Sequence, residues 1–231
     1  MLIPWIFLCM LFMNNEFLII VAGGTGSRMN SKLPKQFIEI NNEPIIVKTI
    51  KQFLKYNSNI TIIISIHRGY ENYLKEQLKK HFNTTTFIIV HGGNSRFQSV
   101  KNALKELINA TGTVAIHDAA RPFVSIETIR RCFETAKQLN NAIPVVEVTE
   151  SLRQITEQTN KSVDRVNFKI VQTPQCFDIE IIQNAFNLPE SNLFTDDASV
   201  LEAFGYKINL VEGNYENIKI TTPKDLTHIM R

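Results

Sequence analysis

The sequence predicts an α/β fold in which a mostly parallel central sheet is covered by helices on both faces. Five apolar runs of strand length, at 17–22, 60–66, 87–90, 113–116 and 142–148, alternate with segments whose apolar residues recur at helical spacing. Parallel strands joined through helices take right-handed crossovers, and in such sheets ligands bind beyond the carboxyl ends of the strands. The informative segments of this chain do follow strands: VAGGTGSRM after the first, HGGNSRFQSV after the third and HDAARPF after the fourth.

The chain opens on MLIPWIFLCMLF, which Asn14, Asn15 and Glu16 interrupt well short of the roughly 20 apolar residues a membrane span needs. No Lys or Arg precedes Arg28 and no small-residue cleavage site follows, so the segment does not read as a signal peptide. Met13 begins MNNEFLIIVAGG, the natural opening of a first strand. Residues 1–12 are therefore expected to be an extension from a start codon set too far upstream, and residues 13–231 a single domain.

After the first strand, Pro44 is expected at the first position of a helix with Ile46, Ile50, Phe53 and Leu54 on one face. The next helix aligns Tyr70, Leu74, Leu78 and Phe82. Ser95 and Gln98 fit a capping box ahead of Phe97, Val100, Leu104 and Leu107, and Ser125 caps a helix carrying Ile126, Ile129, Phe133 and Ala136. From about 149 to 172 the period shortens, with SLRQIT and KSVDRV flanking the polar turn EQTNK, which predicts a β-hairpin arm. Helices are expected at 179–187, with Cys176 as small packing before them, and at 197–204, where Thr195 makes an N-cap for Asp196 and Asp197. A strand at 207–211 and a helix opened by Thr222 and Pro223 complete the chain.

Composition narrows the function. With 231 residues, 44 % apolar, the chain buries one sizeable core and leaves no room for a second catalytic domain. The 25 Lys+Arg are dispersed among 22 Asp+Glu, without the basic stripe of a nucleic-acid binder. Cys9, Cys132 and Cys176 are far apart, odd in number and without C-x-x-C spacing, which supports neither a zinc site nor a disulfide framework and suits a reducing cytoplasm. His67, His81, His91 and His228 show no ligand spacing.

Ala22-Gly23-Gly24-Thr25-Gly26-Ser27-Arg28-Met29 leaves the first strand as a glycine-rich turn. Met29 replaces the third glycine of the dinucleotide fingerprint, and no G-K-[ST] makes it a P-loop. By themselves these glycines fit a tight turn and an anion cradle equally well. Arg28, and Lys35 in Leu33-Pro34-Lys35-Gln36-Phe37, add two cations beside the loop. That pairing suits negative charge growing on a phosphorus centre, although each cation alone is an ordinary surface charge. Asp118 ends an apolar strand, where a carboxylate either meets a magnesium ion bridging triphosphate oxygens or caps the turn before Arg121-Pro122.

The glycine loop and the L-P-K-Q-F segment resemble the start of the cytidylyltransferases that act on sugar-alcohol phosphates, above all the family acting on 2-C-methyl-D-erythritol 4-phosphate. Later landmarks keep the order: Gly92-Gly93-Asn94-Ser95-Arg96 with Ser99-Val100, His117-Asp118-Ala119-Ala120-Arg121-Pro122, Val163-Asp164-Arg165, Gln172-Thr173-Pro174-Gln175 with Phe177, Thr195-Asp196-Asp197-Ala198-Ser199, Val211-Glu212-Gly213, and Asn217-Ile218-Lys219-Ile220-Thr221. The resemblance spans about 16 to 226.

It implies a Rossmann-like nucleotidyltransferase fold and transfer of CMP from CTP to methylerythritol phosphate, with Mg²⁺ and release of pyrophosphate. Arg28 and Lys35 are implied to stabilise the charge that builds during transfer. Ala22, Gly23, Gly24, Gly93, Asn94, Ser99 and Ala119 are implied to hold the nucleotide, with Asn94 standing where many relatives have Asp. Asp118 is implied to hold the metal and, with Arg121, Ser151, Arg165, Thr173, Thr195 and Lys219, to bind the acceptor. His117 supports its loop rather than acid–base chemistry. The arm is implied to cross to a partner subunit, making a homodimer in which Arg165 serves the partner's site.

Ribitol 5-phosphate cytidylyltransferases share this chemistry; Ala120 and the intact T-D-D-A-S segment lean toward methylerythritol phosphate. A catalytically silent nucleotide-binding homologue is the alternative of another class, and retention of Arg28, Lys35, Asp118 and Lys219 argues against it. The broken glycine fingerprint disfavours an NAD(P)-dependent oxidoreductase.

Overall fold

The computed structural model describes residues 16–24, 33–83 and 85–229, without the side chains of 227–229. Residues 1–12 and most of the glycine loop, Arg28 included, lie outside the described residues. In chain order the strands are β1 (Glu16–Ala22), β2 (Glu39–Ile40), β3 (Glu43–Pro44), β4 (Thr61–Ile66), β5 (Phe87–His91), β6 (Thr113–Asp118), β7 (Asn141–Glu147), β8 (Leu152–Ile155), β9 (Asn160–Val163), β10 (Lys169–Val171), β11 (Gln175–Asp178) and β12 (Leu210–Glu212). The α-helices are α1 (Ile45–Tyr56), α2 (Glu71–His81), α3 (Arg96–Leu104), α4 (Ile126–Leu139), α5 (Ile179–Ala185), α6 (Asp197–Ala203) and α7 (Pro223–Ile229).

β1 lies inside the main sheet, parallel to β4 on one side and β6 on the other, and β5 extends the parallel part beyond β4. Successive residues of β1 feed opposite faces. Leu18 and Ile20 join Ile62, Ile64 and Ala115 under α1, α2 and α4, against Ile50, Phe53, Leu74 and Phe133. Ile19 joins Ile63, Val114 and Ile116 under α3, α5 and α6, against Val100, Leu104, Ile182 and Leu201. A strand covered on both faces has no polar alternation, which is why these segments read as apolar runs. Each such side chain taken out of water stabilises the fold by about 1.5–3 kcal/mol.

The far side of the sheet is mixed. β11 runs antiparallel to both β6 and β7, β10 antiparallel to β7, and β12 parallel to β7. β11 was not legible as a strand because QCFD offers only Cys176 and Phe177 as apolar signal, both fully buried. β8 and β9 form the hairpin, with Leu152 opposite Val163 and Ile155 opposite Asn160. Residues 169–171, read as part of the arm, instead return to the main sheet and pair with 145–147.

Local corrections have local causes. Pro44 is extended (φ −56°, ψ 142°) and paired with Glu39 in β2, so the helix begins at Ile45. Ser95 caps α3 by accepting from Gln98 N, but the Gln98 amide donates to Glu190 instead of closing the box. The strand expected at 207–211 pairs only from Leu210, because the Asn141 side chain takes the Asn209 N–H and the Lys207 carbonyl. Asp196, not Thr195, caps α6: it accepts from Ser199 N, and the Ser199 hydroxyl accepts from Asp196 N.

Candidate active site

A cavity of about 500 Å³ opens beyond the carboxyl ends of β1, β4, β5 and β6, within the size range of small-molecule sites. Its described walls are residues 21–24, 35–36, 67, 93–96, 99, 118–120 and 219. Lys35, Arg96 and Lys219 stand there against the single carboxylate of Asp118, a balance suited to a polyanionic ligand.

The glycine turn is tied down by Gln36, whose buried amide donates to Ala22 O at 2.7 Å and Gly24 O at 3.2 Å. Lys35, one residue earlier in a single 3₁₀ turn, is thereby fixed on the cavity wall. Across the cavity, Ser99 donates its hydroxyl to Ser95 O (2.8 Å) and accepts from Gly93 N (3.1 Å). A Cβ at Gly93 would lie 2.2 Å from Gln98 Cβ, so only glycine allows this approach of loop to helix. Asn94 is exposed on the same wall.

Asp118 ends β6 among cations. Lys219 Nζ lies 2.9 Å and Arg121 Nε 3.2 Å from its Oδ2, while Arg96 Nε approaches Oδ1 at 3.9 Å. Burial opposes the charge, yet Lys219, Arg96 and Arg121 together hold the carboxyl well below the usual carboxylate range. Its backbone N–H donates to the Thr173 hydroxyl (3.1 Å), which lies 3.0 Å from His117 Nδ1. His117 Nε2 is 3.1 Å from Arg121 O, an acceptor only, so Nε2 carries the proton and Nδ1 accepts from Thr173. Burial pushes His117 down to about 4, leaving it neutral. Its ring therefore ties β6 to the Arg121 turn, the supporting part expected of it.

Among the described residues no three His, Cys, Asp or Glu side chains gather as a metal cage, and no hydrogen bond reaches Asp118 Oδ1. Magnesium takes one or two carboxylates and completes its shell with substrate phosphates and water. A lone carboxylate facing a cationic cavity fits that ion.

The structure thus brings Ala22, Gly23, Gly24, Lys35, Gly93, Asn94, Ser99, Asp118, Ala119 and Lys219 to one cavity. Thr173 and Arg121 stand behind Asp118, with Arg121 Nη1 donating to Asn217 O at 2.8 Å. Ser151, Arg165 and Thr195 are exposed and line no part of it; Arg165 instead donates to Thr149 O. Residues not singled out from sequence are Gln36, His67, Arg96 and Asn217. Arg96 forms a two-pronged pair with fully buried Asp197, at 2.7 and 2.6 Å. Burial opposes charge on both; Asp197 keeps the guanidinium firmly protonated, while the Asp197 carboxyl stays above its ordinary value despite Arg96. Asn217, fully buried, donates to Thr173 O at 2.8 Å. Arg96 and Asn217 sat inside quoted motifs, but the partners that reveal their work are remote in sequence.

The family model for IspD, 2-C-methyl-D-erythritol 4-phosphate cytidylyltransferase, matches residues 17–230. A 2-C-methyl-D-erythritol 4-phosphate cytidylyltransferase of Bacteroides thetaiotaomicron is 46 % identical over 211 residues, covering 91 % of this chain and 96 % of that protein. The crystal structure of 4-diphosphocytidyl-2C-methyl-D-erythritol synthase from Anaerococcus prevotii superposes with a TM-score of 0.83 at 26 % identity, covering 94 % and 95 % of the two chains. That of the Francisella tularensis 2-C-methyl-D-erythritol 4-phosphate cytidylyltransferase superposes at 0.76 with 33 % identity, over 94 % and 98 %. The match along nearly the whole chain, together with the cavity its motifs build, makes the chain a member of the 2-C-methyl-D-erythritol 4-phosphate cytidylyltransferase family.

Proposed function

We propose that the chain transfers CMP from CTP to 2-C-methyl-D-erythritol 4-phosphate, giving 4-diphosphocytidyl-2-C-methyl-D-erythritol and pyrophosphate. The observation that carries this reading is the meeting of Asp118 and Lys219 opposite the glycine turn and Lys35 in one cavity. A phosphate oxygen of the acceptor attacks the α-phosphorus of CTP. The new P–O bond forms as the bond to the β-phosphate breaks, and pyrophosphate leaves with that electron pair. The nucleophile arrives on the substrate, so the protein contributes position and compensating charge.

In this reading Arg28 and Lys35 stabilise charge on the α-phosphoryl oxygens and the departing pyrophosphate. Ala22, Gly23, Gly24, Gly93, Asn94, Ser99 and Ala119 hold the nucleotide, with Ser99 acting partly through the Gly93 N–H it fixes. Asp118 holds a Mg²⁺ ion that, when bound, neutralises triphosphate charge. Asp118, Arg121, Thr173 and Lys219 orient the acceptor from the β6 side.

Ser151 and Thr195 bind the acceptor, and Arg165, on the arm, serves the site of a second subunit. The arm reading is supported by Arg165 lining no part of the described cavity wall and by the apolar surface beside the hairpin, where Ile155, Val166 and Ile170 are 72, 70 and 50 % exposed. Residues 149–168, the part of 149–172 that precedes the return to the main sheet, are then the dimerisation arm of a single domain, working in the cytoplasm. No described helix is long and apolar enough to cross a membrane.

The test is pyrophosphate release with CTP and Mg²⁺, comparing methylerythritol 4-phosphate with ribitol 5-phosphate. Strong preference for the former is expected. Preference for the latter would reassign the acceptor, and CTP binding without release would mark a silent homologue.

A further inference from the structure

Asp118 divides its two oxygens unequally. Lys219 and Arg121 make their closest approaches to Oδ2, at 2.9 and 3.2 Å. Oδ1 receives no hydrogen bond from the described residues, and Arg96 Nε stops 3.9 Å away, beyond hydrogen-bond range. A long, flexible guanidinium beside a partly buried carboxylate is drawn to close that gap. It is restrained because Nη1 and Nη2 donate to Asp197 Oδ1 and Oδ2 at 2.7 and 2.6 Å. Asp197 is itself held in place: it is fully buried in the first turn of α6, whose cap Asp196 is bonded to Ser199 and to the Gln175 amide at 2.7 Å. The Gln175 carbonyl takes Ala198 N at 2.9 Å.

We propose that Asp197 is a positioning residue that holds Arg96 off Asp118, keeping Oδ1 open to the divalent cation that accompanies the nucleotide phosphates. The inference rests on the reading of Asp118 as the metal ligand given above. Asp197 touches no ligand. It acts by satisfying both terminal nitrogens of a side chain that otherwise competes with the cation for one oxygen. Arg96 then adds positive charge to the cavity wall without occupying the carboxylate. The same pair joins α3, which follows the Gly93 loop, to α6, which follows Thr195.

The test is Mn²⁺ binding in the presence of CTP and absence of acceptor, with free Mn²⁺ read by electron paramagnetic resonance. Asp197→Asn turns an amide N–H₂ toward the guanidinium and frees Arg96 to close on Oδ1. Mn²⁺ affinity is expected to fall about 10- to 100-fold, the usual effect of losing an outer-shell partner. The Arg96→Met/Asp197→Asn double variant removes the competitor and, with CTP held saturating so that the lost wall charge does not enter, is expected to recover affinity to near that of the parent chain. A double variant as weak as the single one overturns the inference, because a merely structural pair is not repaired by losing its second half. Unchanged affinity in Asp197→Asn overturns it as well. Should the single variant fail to fold, the double variant decides: parent-like affinity supports the restraint, and lost affinity assigns Arg96 a direct contact instead. Asp118→Asn separates the two levels. If it binds Mn²⁺ like the parent, the metal-ligand reading falls and the inference with it; if it loses Mn²⁺ while Asp197→Asn does not, the inference alone fails.

Discussion

Lys219 Nζ lies 2.9 Å from Asp118 Oδ2, joining a C-terminal segment to the end of β6. Three bonds hold that segment in place: Ile220 N to Ala120 O at 2.9 Å, Arg121 Nη1 to Asn217 O at 2.8 Å and Asn217 Nδ2 to Thr173 O at 2.8 Å. The lysine is thus preorganised, and a preorganised charge is worth far more to a growing oxyanion than one that must be ordered during the reaction. Lys219→Ala is expected to lower turnover about 10²- to 10³-fold, with Lys219→Arg recovering part of it. Steady-state kinetics with unchanged thermal unfolding would confirm this; a loss confined to stability would not.

Lys35 and Arg165 are expected to fail in different ways. Lys35→Ala lowers kcat far more than CTP affinity, whereas Arg165→Ala mainly raises KM for the acceptor. If the arm serves a partner's site, mixing the two inactive variants restores activity through dimers holding one intact site. Subunit exchange verified by mass spectrometry without recovery would count against sharing of the site between subunits.

The neutral His117 makes stability depend on pH. Burial lowers it to about 4, against an ordinary value near 6.5, so between these values the unfolded chain binds a proton that the folded chain refuses. Stability is fully present above about pH 6.5 and is lost as pH falls toward 4. The loss at pH 5 is about 2 kcal/mol. Asp118, lowered below its ordinary range, acts in more acidic solution, its stabilisation being lost as pH falls through its folded value. Urea unfolding from pH 8 to 5 measures the slope. His117→Gln, which keeps a donor toward Arg121 O, is expected to flatten it; an unaltered slope would assign the linkage to another group.

Gly93→Ala forces a Cβ to within 2.2 Å of Gln98 Cβ and 3.2 Å of the Gln98 backbone carbon, neither of which is a flexible side-chain end. The loop must move off α3 and break the Gly93 N–Ser99 Oγ bond. CTP affinity is expected to fall at least about tenfold with a stability cost of about 1–3 kcal/mol, read by calorimetric titration and thermal unfolding. Gly24, where an added Cβ would meet nothing within 4 Å, is the control for the stability cost, and an equal loss of stability at both positions would contradict this explanation.

Much of the fold was legible because β1, β4 and β6 are buried on both faces and interrupted by helices with one apolar face. The positions lining the cavity were legible for the related reason that they follow strand ends. What stayed hidden is long-range. β11 carries too few residues to show a period, and its place between β6 and β7 is set by tertiary pairing. The cap of α6 moved from Thr195 to Asp196 because Gln175 and Ser199 both engage Asp196. Arg96 carried no signal of its own in the sequence, because its partner Asp197 is remote along the chain. Gln36, whose amide fixes the glycine turn, was hidden for the same reason: the carbonyls it holds lie in another segment.

The most direct test of direct transfer is a ³¹P magnetic resonance time course with purified chain, CTP, Mg²⁺ and methylerythritol 4-phosphate labelled with ¹⁸O in its phosphate. Two mutually coupled diphosphate signals are expected to grow together with free pyrophosphate, with an ¹⁸O atom bridging the two phosphorus atoms. Formation of CMP and pyrophosphate without the coupled pair, or a bridge lacking the label, would contradict attack by the acceptor phosphate on the α-phosphorus.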